Sequence, residues 1–493
     1  MQDSKIIEIL KTFSTEEFKD FEKFIVSPYF RKRDITGLFA VLKPFYPDFN
    51  DKKLTVEYIF KKLFPGKKYE RDKADSHLRT LTSDLFLSCK EFLIHLEINV
   101  QYSFRESFLL AQLRKRNLDK EFLKEAAIVN KIPLTANREL IFGFLEKSYI
   151  SAAELEFFID KSDFENAFER LIKQSEYIAA AAIVRGLKFI DQKIIAEDGY
   201  NLKTRYNFVE NFIKHLNVKS MIKEMKENDD SFTPFIEIYY TVYQTLIHPF
   251  TESNFYELKN LLLIHNDILP QSDKYMLYSI STAFCDRMIN DKGNLEFKKE
   301  SFEIYSSMIK LGVYKYTSHD YFQLSLFRAM LISARNNKQY EWMKDLIDNY
   351  SKELHPDHSE NMKYYSLGQY YYAIDEFGKA LESLVRLKPD YFLYKKDLKN
   401  LMFRIYYNLG YFEEAFSVLD NLKRYLSTTN DLSEKIRDVS LKFAKYASEL
   451  IKLKTGSKKD GLDYLIKKLN NEKNTESYDW LIEKAEELRS AKK

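Results

Sequence analysis

The residue types that carry most catalytic and metal chemistry are sparse in this chain. Of eight histidines, two fall together in His355-Pro356-Asp357-His358, with Glu353 and Glu360 close by. Two imidazoles and neighbouring carboxylates can hold a divalent cation. The segment is also a proline-marked break between helical stretches, where polar residues gather for solvation alone, and it is read as a turn. Cys89 and Cys285 are the two cysteines, too far apart in the chain for a CxxC site and too few for a disulfide framework. Lys90 and His95 follow Cys89, but nothing marks its thiol as activated, so a buried helix cysteine is expected. Gly456 and Gly461 have the spacing of a phosphate loop, but Leu462 stands where the lysine belongs. No Gly-x-Gly-x2-Gly, His-Glu-x2-His or Gly-x-Ser-x-Gly occurs. The expectation is a protein without catalytic residues, metal or cofactor.

The elements that would position any site are therefore the more informative reading. The 493 residues include 12 Gly and 10 Pro, about 2.4% and 2.0%, against roughly 7% and 5% in ordinary soluble proteins. Hairpin turns need Gly, Asn or Asp at positive φ, so β-rich folds are unfavoured and an all-α chain is expected. With 45% hydrophobic residues it can bury a large core, which argues against disorder. One compact core stops growing near about 250–300 residues. The chain is thus either several domains or a solenoid whose units pack on their neighbours. Seventy-seven basic and 74 acidic residues leave a net charge of +3, not the basic excess of a dedicated nucleic-acid binder. The start lacks a basic and an apolar leader region. The longest wholly apolar run, 177–184, is far short of the about 20 residues that span a bilayer. A cytoplasmic protein with no membrane insertion is expected.

Helix signals open the chain. Ser14-Thr15-Glu16-Glu17 is a capping box, and Phe13 and Phe18 stand where a hydrophobic staple closes over it. Phe18, Phe21, Phe24 and Ile25 follow at helical spacing, until Ser27-Pro28 stops the run. Further helices are predicted over 36–45, 55–63 and 71–98, the last with Leu78, Leu81, Leu85, Leu87 and Phe92 as its apolar stripe. From about residue 105 one helix follows another, with breaks near Pro133, Pro234, Pro249, Pro270, Pro356 and Pro389. This divides the chain into an N-terminal helical domain, 1–104, and a helical-repeat region, 105–493.

A repeat is clearest over 361–427. Tyr364-x2-Leu367-Gly368-x2-Tyr371 is followed by Ala380-x3-Leu384 and Pro389. Thirty-five residues after Ala380 comes Ala415, within Tyr406-x3-Gly410-Tyr411-Phe412-x2-Ala415-x3-Leu419. Met343, in Asn337-x2-Tyr340-x2-Met343-x3-Ile347, lies 37 residues before Ala380. Asp163-Phe164-x2-Ala167-x3-Leu171 has the same shape, with Ser162-x2-Glu165 as its predicted cap. The pattern resembles the tetratricopeptide repeat, with Tyr for Trp, Leu for Phe and an early Pro. The resemblance implies a right-handed superhelical solenoid of antiparallel helix pairs. In it Ala380 and Ala415 let paired helices approach, and Tyr371 and Tyr406 fill the gap between them. By the family's register the concave face would carry Arg328, Arg335, Tyr365, Gln369, Tyr372, Asn400, Arg404, Tyr407 and Asn408. Members that grip C-terminal carboxylates present Lys and Asn at inner positions; here Tyr365 and Gln369 take the first such pair. Arginine forks pair carboxylates and tyrosines offer rigid amphipathic contact, so the expected partner is a protein or peptide, acidic or aromatic. The competing use of these arginines is ion pairing with neighbouring helices.

Residues 54–85 support a reading of another class. Leu54-Thr55-Val56-Glu57-Tyr58-Ile59-Phe60, then Leu63-Phe64-Pro65-Gly66, Leu78-Arg79 and Ser83-x-Leu85 resemble the helix-turn-helix core of winged-helix domains. Some bacterial activators join such a domain to tetratricopeptide-like repeats. The resemblance implies that His77, Arg79, Thr80 and Ser83 enter a major groove while the basic segment 61–71 meets phosphates. That family needs a β-hairpin wing next, whereas the helix here is predicted to run on to Ile98. The whole N-terminal module also resembles uncharacterised bacterial proteins, which implies no function. The favoured expectation is a non-enzymatic interaction scaffold whose N-terminal domain caps the repeats. A DNA-binding regulator is the alternative.

Overall fold

The computed structural model describes residues 4–27, 29, 34–100, 102–136, 139–200, 206–247, 251–318, 320–387, 392–429, 432, 434–456 and 461–490. Among these residues the protein is all-helical, with twenty-four α-helices and no β-strand; Phe322 and Leu354 form an isolated bridge. None of these helices is long and apolar enough to cross a membrane. The chain divides into two compact units, one of residues 1–132 with 149–170, the other of 133–148 with 171–493. The first unit thus reaches beyond residue 104.

The first unit contains α1 (Lys5–Lys11), α2 (Thr15–Val26), α3 (Thr36–Leu42), α4 (Val56–Leu63), α5 (Arg71–Val100), α6 (Tyr102–Lys115) and α7 (Asp119–Asn130). Residues of α8 (Leu140–Asp160) and α9 (Phe164–Tyr200) belong to both. The second unit continues with α10 (Phe208–His215), α11 (Val218–Glu227), α12 (Thr233–Leu246), α13 (Glu252–Ile264), α14 (Gln271–Lys292), α15 (Phe297–Lys310), α16 (Leu324–Asn336) and α17 (Tyr340–Tyr350). It ends with α18 (Pro356–Ala373), α19 (Phe377–Val385), α20 (Phe392–Leu409), α21 (Phe412–Thr428), α22 (Glu434–Thr455), α23 (Leu462–Asn471) and α24 (Tyr478–Ser490).

Local chemistry sets the helix ends. The capping box forms as predicted: the Glu17 amide donates to Ser14 Oγ at 3.1 Å, and the Ser14 amide to Glu17 Oε2 at 2.7 Å. Phe13 and Phe18 are both buried beside it. In α5 the buried stripe is Leu78, Leu85, Cys89 and Phe92, while Leu87 is exposed. Leu87 follows Leu85 by two residues, which turns it to the far side of the helix; Cys89 takes the expected place. The predicted cap Ser162 instead adopts a left-handed φ of 58°. Asp163 caps α9, accepting from the Asn166 amide at 3.2 Å. Pro234 and Pro356 stand in the first turns of α12 and α18, and Pro270 is the N-cap of α14, so these prolines start helices. Pro28, Pro249 and Pro389 lie outside the described residues.

One hairpin turn recurs. The pairs α6–α7, α8–α9, α16–α17, α18–α19 and α20–α21 each close with a left-handed residue: Asn117, Ser162, Lys338, Asp375 or Gly410. In each, that residue's amide donates to the carbonyl three back, and the following amide donates to the carbonyl five back. In the last pair these are Gly410 to Tyr407 at 3.3 Å and Tyr411 to Tyr406 at 2.9 Å. This double bond pattern is the Schellman motif, which satisfies the last carbonyls of the first helix. The residue after it, Leu118, Gln339, Glu376 or Tyr411, has nearly the same backbone in each case, with φ from −92° to −84° and ψ from 61° to 72°. Four residues further on, Phe122, Met343, Ala380 and Ala415 are fully buried. Ile347, Leu384 and Leu419 repeat the burial one turn later. Lys338, Asp375 and Gly410 are 37 and then 35 residues apart, the interval read from the sequence.

The core of the second unit is laid down in sequence order. One cluster gathers buried residues between 140 and 280, a second between 255 and 405, a third between 403 and 488. Each helix thus packs chiefly on its neighbours in the chain.

Candidate functional site

Helices α16, α18 and α20 bring most of the predicted inner-face residues together. On α18, Tyr365, Gln369 and Tyr372 follow at i, i+4 and i+7, so they share one face. Tyr365 is fully buried and accepts from Gln369 Nε2 at 2.9 Å. Gln369 Oε1 accepts from Arg335 Nη1 of α16 at 2.5 Å. Tyr372, half-buried, lies beneath Arg404 of α20, whose guanidinium carbon is 4.9 Å from the ring centre. Arg335 and Arg404 therefore meet α18 at adjacent positions of the same face.

The third arginine is used differently. Arg328 of α16 pairs with Asp397 of α20. Lys396 bridges Asp397 at 3.0 Å and Glu476 at 2.7 Å. Asn400 donates to the same Glu476 oxygen at 3.1 Å and to Ser477 Oγ at 3.2 Å, and Ser440 bonds the other oxygen. Burial alone would raise the Glu476 carboxyl; Lys396, Ser440 and Arg404 overcome it and hold it below the ordinary carboxylate range.

Arg335 and Arg404 have no carboxylate within 4 Å among the described residues. Arg335 bonds two amide oxygens, those of Gln369 and Asn336. Arg404 is only 6% exposed, and its Nε is buried without a hydrogen-bond partner. Burial, with the charges of Arg404 and Arg328, pushes Arg335 below the usual guanidinium range. Asp286 of α14 reaches solvent, yet the protein crowded around it lifts its carboxyl to about 6, against the pull of Arg328.

Several predicted residues have other places. Tyr365 and Tyr407 lie in the core and present no surface to a partner. Tyr407 packs under Lys454, whose Nζ is 4.2 Å from its ring centre. Tyr371 and Tyr406, expected to fill the gaps between paired helices, are half-buried and pack against the core clusters; the fully buried tyrosines of these helices are Tyr365 and Tyr407. Asn400 is consumed by Glu476 and Ser477, and Asn408 bonds the Arg404 carbonyl of its own helix at 3.0 Å. His77, Arg79, Thr80 and Ser83 are exposed on α5, which continues unbroken to Val100 with no strand after it among the described residues. His77 packs against Phe64, ring centres 5.1 Å apart. The two rings, with Phe60, Lys67, Lys68 and Glu70, line a shallow depression of about 280 Å³. His355 caps α18, its Nδ1 accepting from the Asp357 amide at 3.3 Å. Among the described residues no group of three His, Cys, Asp or Glu is placed to hold a metal ion. Cys89 and Cys285 are buried and unpaired, and burial pushes both thiols up.

A second polar cluster had no sequence signal, because its members come from five segments. Lys188 of α9, fully buried, lies 3.1 Å from Asp273 and 3.2 Å from Glu139. Asp273 also accepts from the Leu140 amide at 2.7 Å and from Tyr239, and Tyr316 donates to Glu139 at 2.6 Å. One turn from Lys188, Asp191 is buried with both carboxylate oxygens unpartnered. Burial drives its carboxyl well above the ordinary range, more than Lys188 can offset. Lys188, Asp273 and Glu139, with Tyr239 and Tyr316, tie five segments of the chain together in the core.

No family model, curated protein or solved structure matches this chain. The functional reading therefore stands on the sequence and the geometry.

Proposed function

We propose that this chain is a non-enzymatic interaction scaffold, a tetratricopeptide-like solenoid that receives a segment of a partner protein on the face that α16, α18 and α20 share around Arg335 and Arg404. The observation that carries the reading is the pair Arg335 and Arg404, two guanidiniums that meet adjacent positions on one face of α18 and have no acidic partner within 4 Å among the described residues. A buried charge without a counter-ion costs stability, and a pair of such cations suits an acidic ligand. The recurring Schellman hairpin, at near-constant interval over 338–410, supports a repeat architecture. Repeats of that kind stack into extended concave binding surfaces.

The test compares partners captured from native lysate by the full chain and by a variant carrying Arg328→Ala, Arg335→Ala and Arg404→Ala. The reading expects at least one partner to be lost while the variant's helical circular dichroism is kept. An unchanged set of partners would overturn the assignment of this face to partner binding.

A further inference from the structure

We propose that Arg335, Arg404 and the ring of Tyr372 form a subsite for a phosphomonoester dianion. The proposal deepens the scaffold reading by naming the group this face recognises, and it depends on that reading only for the source of the group.

Three observations converge on it. First, two acids of this region are engaged by other groups: Asp397 pairs with Arg328 and Lys396, and Glu476 holds Lys396, Asn400 and Ser440, with Arg404 acting on it only from beyond 4 Å. Second, among the described residues the direct partners of Arg335 and Arg404 are amide oxygens and an aromatic face, with no carboxylate within 4 Å of either guanidinium. Third, Arg404 is fixed under nine-tenths burial with an unpartnered Nε, and Tyr372 holds its planar group from beneath. The positions are fixed, since Arg335 is tied to Gln369, which is tied in turn to Tyr365. Two neighbouring positive charges without a directly bound carboxylate suit a doubly charged ligand. A phosphomonoester carries about −1.5 to −2 at neutral pH, with three acceptor oxygens. A single carboxylate would leave one guanidinium uncompensated. Guanidinium forks also match phosphate oxygens bidentately.

The source of the phosphoryl group is either a phosphorylated segment of a partner protein or a small phosphorylated molecule. Calorimetric titration of the full chain separates them with three probes at low salt: inorganic phosphate, an alanine-flanked phosphoserine nonapeptide, and the same peptide with Glu for phosphoserine. The proposal expects saturable phosphate binding, and at least tenfold weaker binding of the Glu peptide than of the phosphoserine peptide. Arg335→Met and Arg404→Met should each lower phosphate affinity tenfold or more. Arg404→Lys keeps the charge and guards against misfolding; it should retain the melting temperature and still bind several-fold more weakly, because the fork is lost. A phosphopeptide that binds well above inorganic phosphate identifies a phosphoprotein as the source; equal affinities identify a small molecule. No saturable binding of phosphate, equal affinity of the Glu and phosphoserine peptides, or unchanged affinity in both Met variants would overturn the subsite. Phosphate binding with no gain from any peptide would leave the subsite standing and remove the peptide-scaffold reading. Loss of captured partners in the triple alanine variant without phosphate binding would do the reverse.

Discussion

Asp191 shows how a single buried group sets a pH dependence for the whole chain. Its carboxyl is desolvated, unpartnered and pushed well above the ordinary range. In the unfolded chain it would titrate near about 4. Between those two values the unfolded state releases the proton and the folded state keeps it, so stability falls as pH rises through that window. Asp191→Asn cannot ionise. It is expected to melt close to wild type near pH 4 and several degrees higher at pH 7.5, by differential scanning fluorimetry. The same melting difference at both pH values would show that Asp191 is not held protonated. Glu476 follows the opposite sign: its lowered carboxyl adds stability above the unfolded value, and this is lost on acidification.

At the scale of elements, Gly368 reports on how closely α18 and α19 pack. A Cβ built there would lie 2.7 Å from Leu384 Cγ, a side chain that is itself buried. The neighbour has no room to yield, so Gly368→Ala should destabilise by about 1–3 kcal/mol, the usual cost of overpacking. Urea unfolding at equilibrium reads this directly, and a variant as stable as wild type would mean that the helices separate freely. The spacing of Gly368, Ala380 and Leu384 was legible in the sequence because close helix pairs need small residues at fixed intervals. The turns were less so. Of the five left-handed residues only Gly410 is a glycine, and Ser162 and Lys338 give no local hint of that conformation. Carbonyl satisfaction at the helix end and burial four residues later impose it.

Across the second unit, stability is spread along the chain. Because the last cluster is shared among α20–α24, removing residues 429–493 should uncover Leu419, Leu422 and Leu426 of α21 and Phe403 of α20. Each such side chain contributes about 1.5–3 kcal/mol when fully buried. The shortened chain is expected to self-associate on size-exclusion chromatography and to unfold at lower urea. It would also lose Glu476, which leaves Lys396 with Asp397 alone. A monomeric truncated chain with an unchanged midpoint would show that α22–α24 form a separate cooperative block.

The sequence by itself determined the all-helical class, the helix start marked by Ser14, breaks near the prolines, and the 35- to 37-residue interval. Those depend on local rules: capping, φ restriction and apolar period. It also singled out the three arginines. Which of them is paired was a tertiary decision, because only the fold brings Asp397 of α20 to Arg328 of α16 and leaves Arg335 and Arg404 with no carboxylate within 4 Å among the described residues. The same holds for Tyr365 and Tyr407, which the family register put on a surface and helix rotation buries. The cluster around Lys188 was invisible for the same reason: its acids lie in segments far apart in the chain, and only folding makes them neighbours.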